Sequence, residues 1–179
     1  EENINDENNF RNLIWERIIC LKDKCKKYGV LQSDVRNTVE RIVFERASRF
    51  VVGVDSDIVD SDILEALKSE EIIVESRNKI RLKYDIFEDI CFERYIDKAF
   101  DVCHGSYNVF FDEIEKIGRC IYRRYQIWIS NKLFVQEARE KFVYTLLTDN
   151  SIEAKWKKQT EIGIVKSKYC GLFFKEFQE

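Results

Sequence analysis

Ile72-Ile73-Val74-Glu75-Ser76-Arg77-Asn78-Lys79-Ile80-Arg81-Leu82-Lys83-Tyr84-Asp85-Ile86-Phe87-Glu88-Asp89 is the stretch on which the fold turns. It opens with a β-branched run, Ile72 to Val74, a composition that suits a pleated strand. Ser76-Arg77-Asn78-Lys79 is turn chemistry. Ile80 and Leu82 then alternate with Arg81 and Lys83, which gives a strand one apolar face. The pattern predicts a two-stranded hairpin with one buried side. Asp85 followed by Glu88 has capping-box spacing, which opens a helix. That helix is expected to run to about Phe100, with Phe87, Ile90, Cys91, Ile96 and Ala99 facing inward.

Upstream the period is helical. Phe10, Leu13, Ile14, Ile18 and Leu21 recur at three and four and make one stripe, widened by Trp15 and Ile19. The basic segment Lys22–Lys27 ends at Tyr28-Gly29, a helix stop. Ser33 or Asp34 is expected to cap a helix carrying Val35, Val39, Ile42, Val43, Ala47 and Phe50, which ends before Gly53. Asp55 to Asp60 reads as an acidic linker. Asp62 with Glu65 resembles a capping box for a third helix, Asp62 to Ser69. Three helices, a hairpin and a further helix are the order of a winged-helix module. Beyond Cys103-His104-Gly105, helical stripes run through 109–117, 120–133, 138–147, 156–165 and 169–177. The expected fold is mainly α, with a flexible N-terminus over 1–9, a winged-helix domain over 10–103 and an α-solenoid-like helical array over 104–179.

Composition agrees. The 179 residues are 45% hydrophobic and 35% charged, enough for a real core and too apolar for a disordered chain. Proline is absent where average usage would place about nine, which suits a helical chain. Methionine is absent too, even at position 1, so the chain is expected to be a fragment of a longer protein. No run of 18 apolar residues exists and the first residues are acidic, so neither a membrane span nor a signal peptide is expected. A cytoplasmic location with reduced cysteines follows as an expectation. The net charge of −3 gives no global attraction for nucleic acid or anionic lipid.

Chemistry is sparse. No phosphate-binding glycine loop is present, so neither catalysis nor a cofactor is expected of this chain itself. His104, the single histidine, reads as a surface residue at a helix end. A zinc site of Cys20, Cys25 and Cys103-His104 has poor ligand spacing. A winged helix first suggests DNA binding, but the third helix and its flanks carry Asp60, Asp62, Glu65, Glu70 and Glu71 against one lysine, Lys68. Such a surface repels phosphates, so nucleic acid is not an expected partner. The wing's Arg81 and Lys83, and Arg123-Arg124 further on, are candidate interaction residues whose simplest alternative is a solvated or salt-bridged face.

Several segments resemble the region after the ATPase core of bacterial STAND NTPases, signal-transduction ATPases of which many are antiviral. Asn12-Leu13-Ile14-Trp15-Glu16 and Val39-Glu40-Arg41-Ile42-Val43-Phe44-Glu45-Arg46-Ala47 are similar to two helices of that region. Ile63 to Ile73 is similar to its "AL..L..DGII". Tyr84-Asp85-Ile86-Phe87-Glu88-Asp89 resembles its "HDIFEDWAL", Ile121 to Ile129 its "..RR.YRLWL", and Trp156-Lys157 its following tryptophan motif. The resemblance runs from about Phe10 to Phe177. It implies a regulatory and scaffolding segment that packs on the ATPase core of the same parent protein and meets a protein target through the helical array. ATP or ADP and Mg would belong to that parent. Tyr84 and Asp85 would lie nearest the nucleotide. The family usually has histidine where Tyr84 stands; a phenol donates a hydrogen bond but carries no positive charge. Two alternatives accompany this reading, a winged-helix transcription regulator and a helical adaptor without a nucleotide partner.

Overall fold

The computed structural model describes residues 7–135 and 137–177. It is mainly α, a winged helix followed by a helical array. The chain divides into two compact units, one ending at Cys91 and the other beginning at Phe92.

In the first unit, α1 (Glu7–Leu13) continues into a π-helical turn, Ile14–Ile19. The frayed segment expected over residues 1–9 lies outside the described residues up to residue 6; from Glu7 the backbone is helical. The buried face keeps Trp15, Ile19 and Leu21 of the expected stripe but not Phe10 and Ile18. The wide π turn rotates the buried side onto Trp15, Ile19, Cys20 and Leu21, while Phe10 and Ile18 are about half exposed. Next come α2 (Cys25–Tyr28) and α3 (Gln32–Arg49). Leu31 stands at the N-cap of α3 without a side-chain bond. Ser33 and Asp34 thus fall inside the first turn, where Asp34 still suits the positive end of the helix dipole.

The acidic linker contains a strand. Val54–Asp55 (β1) pairs antiparallel with Lys79–Leu82 (β3), and β3 pairs antiparallel with Ile73–Ser76 (β2), giving the order β1-β3-β2. Gly53 permits this approach, since a Cβ there would lie 3.0 Å from the Ile80 carbonyl oxygen. A 3-10 turn, Ser56–Ile58, then clasps the hairpin tip. Ser56 N–H donates to the Asn78 carbonyl at 3.0 Å and Ser56 Oγ to Asn78 Oδ1 at 2.5 Å. Arg77 and Asn78 both have positive φ, as a two-residue type I′ turn requires. The helix α4 (Ser61–Ser69) is capped by Asp60, whose carboxylate accepts from the Asp62 and Ile63 amides; Asp62 lies one residue inside. Ile63, Ala66 and Leu67 of α4 join Val35, Val39 and Ile42 of α3 among the core residues.

The helix α5 spans Asp85–Val102, and the division between the units falls within it. The second unit continues with α6 (Tyr107–Glu115), α7 (Ile121–Lys132), a π-helical segment Ala138–Val143 running into α8 (Tyr144–Thr148), α9 (Ala154–Lys166) and α10 (Cys170–Glu176). All five stripes anticipated after residue 105 are helical. The helices α7 and α9 pack closest. A Cβ on Gly163 would fall 2.1 Å from Ile129 Cγ2 and 2.9 Å from the Gln126 carbonyl oxygen, so only glycine fits.

Candidate functional site

The hairpin-to-α5 junction brings four of the sequence-selected residues together in the first unit. The Lys83 N–H donates to the Ile72 carbonyl at 2.8 Å, carrying the pairing one residue past β3 and fixing where Tyr84 emerges. Tyr84 is 49% exposed. Its ring meets Phe87 edge-on at 5.3 Å, and the Lys83 ammonium sits 5.3 Å from its centroid. Phe87 N–H donates to the Tyr84 carbonyl at 3.0 Å. Asp85 is exposed as the first residue of α5.

Three cations of the wing, Lys83, Lys79 and Arg81, have partners. Lys83 Nζ donates to Glu71 Oε2 at 2.8 Å, a bond that raises the lysine and lowers the glutamate from their ordinary pKa values. Lys79 donates to Asp55 at 2.6 Å across the sheet. Arg81 Nη1 donates to the Leu82 carbonyl at 3.2 Å.

Arg123 and Arg124 belong to the second unit, on α7. Arg123 is exposed, whereas the Arg124 guanidinium lies over the Phe92 ring at 5.3 Å, a cation–π contact. Trp156, also taken from the sequence resemblance, is 1% exposed and stacks on Phe111 at 4.6 Å, so it is a core residue. His104 is exposed at a positive-φ position after α5. Among the described residues, no three His, Cys, Asp or Glu side chains are grouped to hold a metal ion.

Sequence reasoning missed three charge constellations. Glu88, read only as part of a capping pattern, takes the Arg46 guanidinium on both oxygens at 2.7 and 2.6 Å, tying the end of α3 to the start of α5. Glu70 accepts from Lys24, from Tyr28 Oη at 2.7 Å and from Lys27 at 3.2 Å. The Lys24 bond, then that of Tyr28, pulls the Glu70 carboxyl down to about 2. In the second unit, Arg139 binds Glu176. Each pair spans more than 35 residues, so no local spacing marks it. The one available signal is charge near a helix end.

No protein-family model matches the chain. A stretch of 97 residues, 54% of the chain, is 32% identical to part of leucine–tRNA ligase 1 of Sulfurisphaera tokodaii, and the chain spans 10% of that protein's length. A likeness of that extent assigns no family. Among the described residues no helix is long and apolar enough to cross a membrane.

Proposed function

We propose that this chain is the regulatory and scaffolding segment of a STAND-type signal-transduction ATPase, coupling target sensing to nucleotide-dependent assembly, in antiviral defence. The observation that carries the reading is the junction where a winged-helix hairpin leads into Tyr84-Asp85 at the start of α5. The half-exposed phenol is braced by Phe87 and flanked by the Lys83 ammonium, and in this reading it meets an external surface. In this reading that surface is the nucleotide domain of the parent protein, and the second unit faces the target. The chain itself hydrolyses nothing in this scheme.

The test has two arms. The native gene is read for a phosphate-loop domain upstream of Glu1, and that domain is then mixed with this chain in the presence of ADP or of a non-hydrolysable ATP analogue. ADP-favoured association that is weakened by Tyr84→Ala is the expected result. A gene product without such a domain, or association indifferent to nucleotide, sinks the proposal and leaves the adaptor reading.

The charge pattern weighs against the transcription-regulator reading. The exposed side of α4 presents Asp62 and Glu65, and Lys79 and Lys83 of the wing already bind carboxylates. No electrophoretic shift of random-sequence duplex DNA is expected even at about 50 mM salt, where phosphate contacts are strongest.

A further inference from the structure

We infer that the exposed face shared by α7 and α9 is a self-association surface, whose occupant is the acidic side of α4 on a second copy of this chain. The inference goes beyond the function proposed above, since it needs no nucleotide and uses neither Tyr84 nor Asp85.

The two helices are locked side by side. Gly163 lies against Ile129 and the Gln126 backbone, Ser167 Oγ donates to the Ser130 carbonyl at 2.9 Å, and Gln126 Nε2 donates to Gln159 Oε1 at 2.5 Å. Gln126 Oε1 in turn accepts from Lys166 Nζ at 2.9 Å. The Lys166 ammonium therefore rests on α7, at the residue one turn after Arg123. Arg119 stands a turn before Arg123, in the bend where its carbonyl accepts from the Tyr122 N–H at 3.2 Å. Arg119, Arg123 and Lys166 thus follow one side of α7, and all three are exposed.

None of these cations has a carboxylate partner among the described residues. Lys166 meets a neutral amide, and Arg119 and Arg123 make no side-chain hydrogen bond or ion pair. No acid occurs in α7, and Glu161 is the one acid in α9. Lys155 of α9, by contrast, is taken by Glu115 at 2.7 Å and Glu153 at 3.1 Å. Like charges a turn apart are unfavourable, and an anionic partner removes that cost.

The side of α4 that faces solvent has the opposite pattern. Asp62 and Glu65 are exposed and three residues apart. Glu65 has no side-chain partner among the described residues, and Asp62 accepts only from Ser61 Oγ at 3.5 Å. Lys68, next on that side, is already bound to Glu75. Two carboxylates a turn apart match two guanidinium groups a turn apart, both separations being about 5–6 Å along a helix. Each guanidinium suits a carboxylate through two parallel N–H bonds. Ile127, a turn after Arg123, is 45% exposed, and Leu64 beside Glu65 is partly exposed, so aliphatic groups adjoin the charges on both sides. Nucleic acid fits this face less well. Tyr125, Trp128 and Trp156 are buried and Tyr122 stands edge-on to Trp156, which leaves no open ring on which bases stack. The basic face repels its own counterpart, so the contact is heterologous, and each added copy brings a fresh face of either sign.

The test is sedimentation equilibrium of the 179-residue chain without nucleotide. At high micromolar concentration and about 50 mM salt, the average mass is expected to exceed the monomer's 21.5 kDa, and at about 500 mM salt to return to it. Arg119→Glu/Arg123→Glu and Asp62→Lys/Glu65→Lys should each associate about tenfold more weakly, because like charges then meet. An equal mixture of the two should associate again, since each reversed face meets its complement. That recovery also separates lost contact from lost fold. Lys22→Glu/Lys26→Glu makes the same change of net charge at exposed positions elsewhere and should behave as the parent. A parent that stays monomeric at low salt, a mixture that stays monomeric, or equal loss in the Lys22/Lys26 variant overturns the inference. So does a monomeric parent that binds a labelled oligouridylate through Arg123, which assigns the face to nucleic acid. With nucleotide absent throughout, failure here is distinct from failure of the ADP-dependent association.

Discussion

Around α4 and the hairpin, the first unit encloses an aliphatic core of Val39, Ile42, Ile63, Leu67, Ile80 and Leu82, and ties its elements together by charge. Arg46 reaches Glu88 from α3 to α5, Lys24 reaches Glu70 from beside α2 to the end of α4, and Lys68 reaches Glu75 from α4 to β2. The second unit is built from rings. Phe110, Phe111, Tyr125, Trp128 and Trp156 lie within 4.6 to 6.3 Å of their neighbours, and α7 presses against α9 at Gly163. Its inner polar groups serve that packing. Tyr125 Oη meets Thr160 Oγ1 at 2.7 Å, with the phenol pushed up by burial, while buried Trp156 Nε1 has no partner among the described residues. The contrast is one of tolerance. Ion pairs whose cation still meets water adjust more readily to substitution than interlocked rings and close backbones do.

The sharpest way to break this comparison is Gly163→Ala. Its Cβ must displace Ile129 and the α7 backbone, at a cost of about 3 kcal/mol. Urea unfolding followed by hydrogen exchange should place the loss in residues 92–177. A near-neutral result would mean that α7 and α9 are not so closely packed. Arg139→Met comes next. It leaves the Leu133 and Phe134 carbonyls and the Glu176 carboxylate without their guanidinium and should cost about 2–3 kcal/mol, discounted because Glu176 keeps some access to water.

In the first unit, Arg46→Met should cost about 2 kcal/mol, since it strands Glu88, whose side chain is 8% exposed. The double variant Arg46→Met/Glu88→Met should recover most of that loss in thermal unfolding. If it does not, the pair does more than compensate its own burial.

The smallest effect is a pH dependence. The Glu70 carboxyl is lowered from 4.5 to about 2 in the folded chain, so its stabilisation is complete above about 4.5 and disappears as pH falls toward 2. Glu70→Gln should therefore unfold more easily than the parent at pH 6, and the two should converge near pH 2. A gap that is constant with pH would show that Glu70 acts through packing.

The hairpin from Ile73 to Leu82 and the start of α5 at Asp85 were legible because period-two alternation, turn residues and an Asp-x-x-Glu pattern are all local signals. The strand at Val54–Asp55 was not. Two residues carry no period, and this pair becomes a strand only when β3 supplies hydrogen-bond partners. Asp60 displaced Asp62 as the cap of α4 for a similar reason, because several acids in a row offer several starts and the geometry takes one. Arg124 is engaged with Phe92, and Lys83 with Glu71, contacts that spacing along the chain does not encode.

By itself the sequence determined the helical class, the hairpin, the acidic character of α4 and the helices that follow, since each depends on composition and period within a dozen residues. Tertiary structure alone decided which face of the first helix is buried, the third strand, the glycine at the α7–α9 crossing and the guanidinium of Arg139 on Glu176. Those features join residues far apart in the chain, and their free energy exists only once the partner surfaces have met.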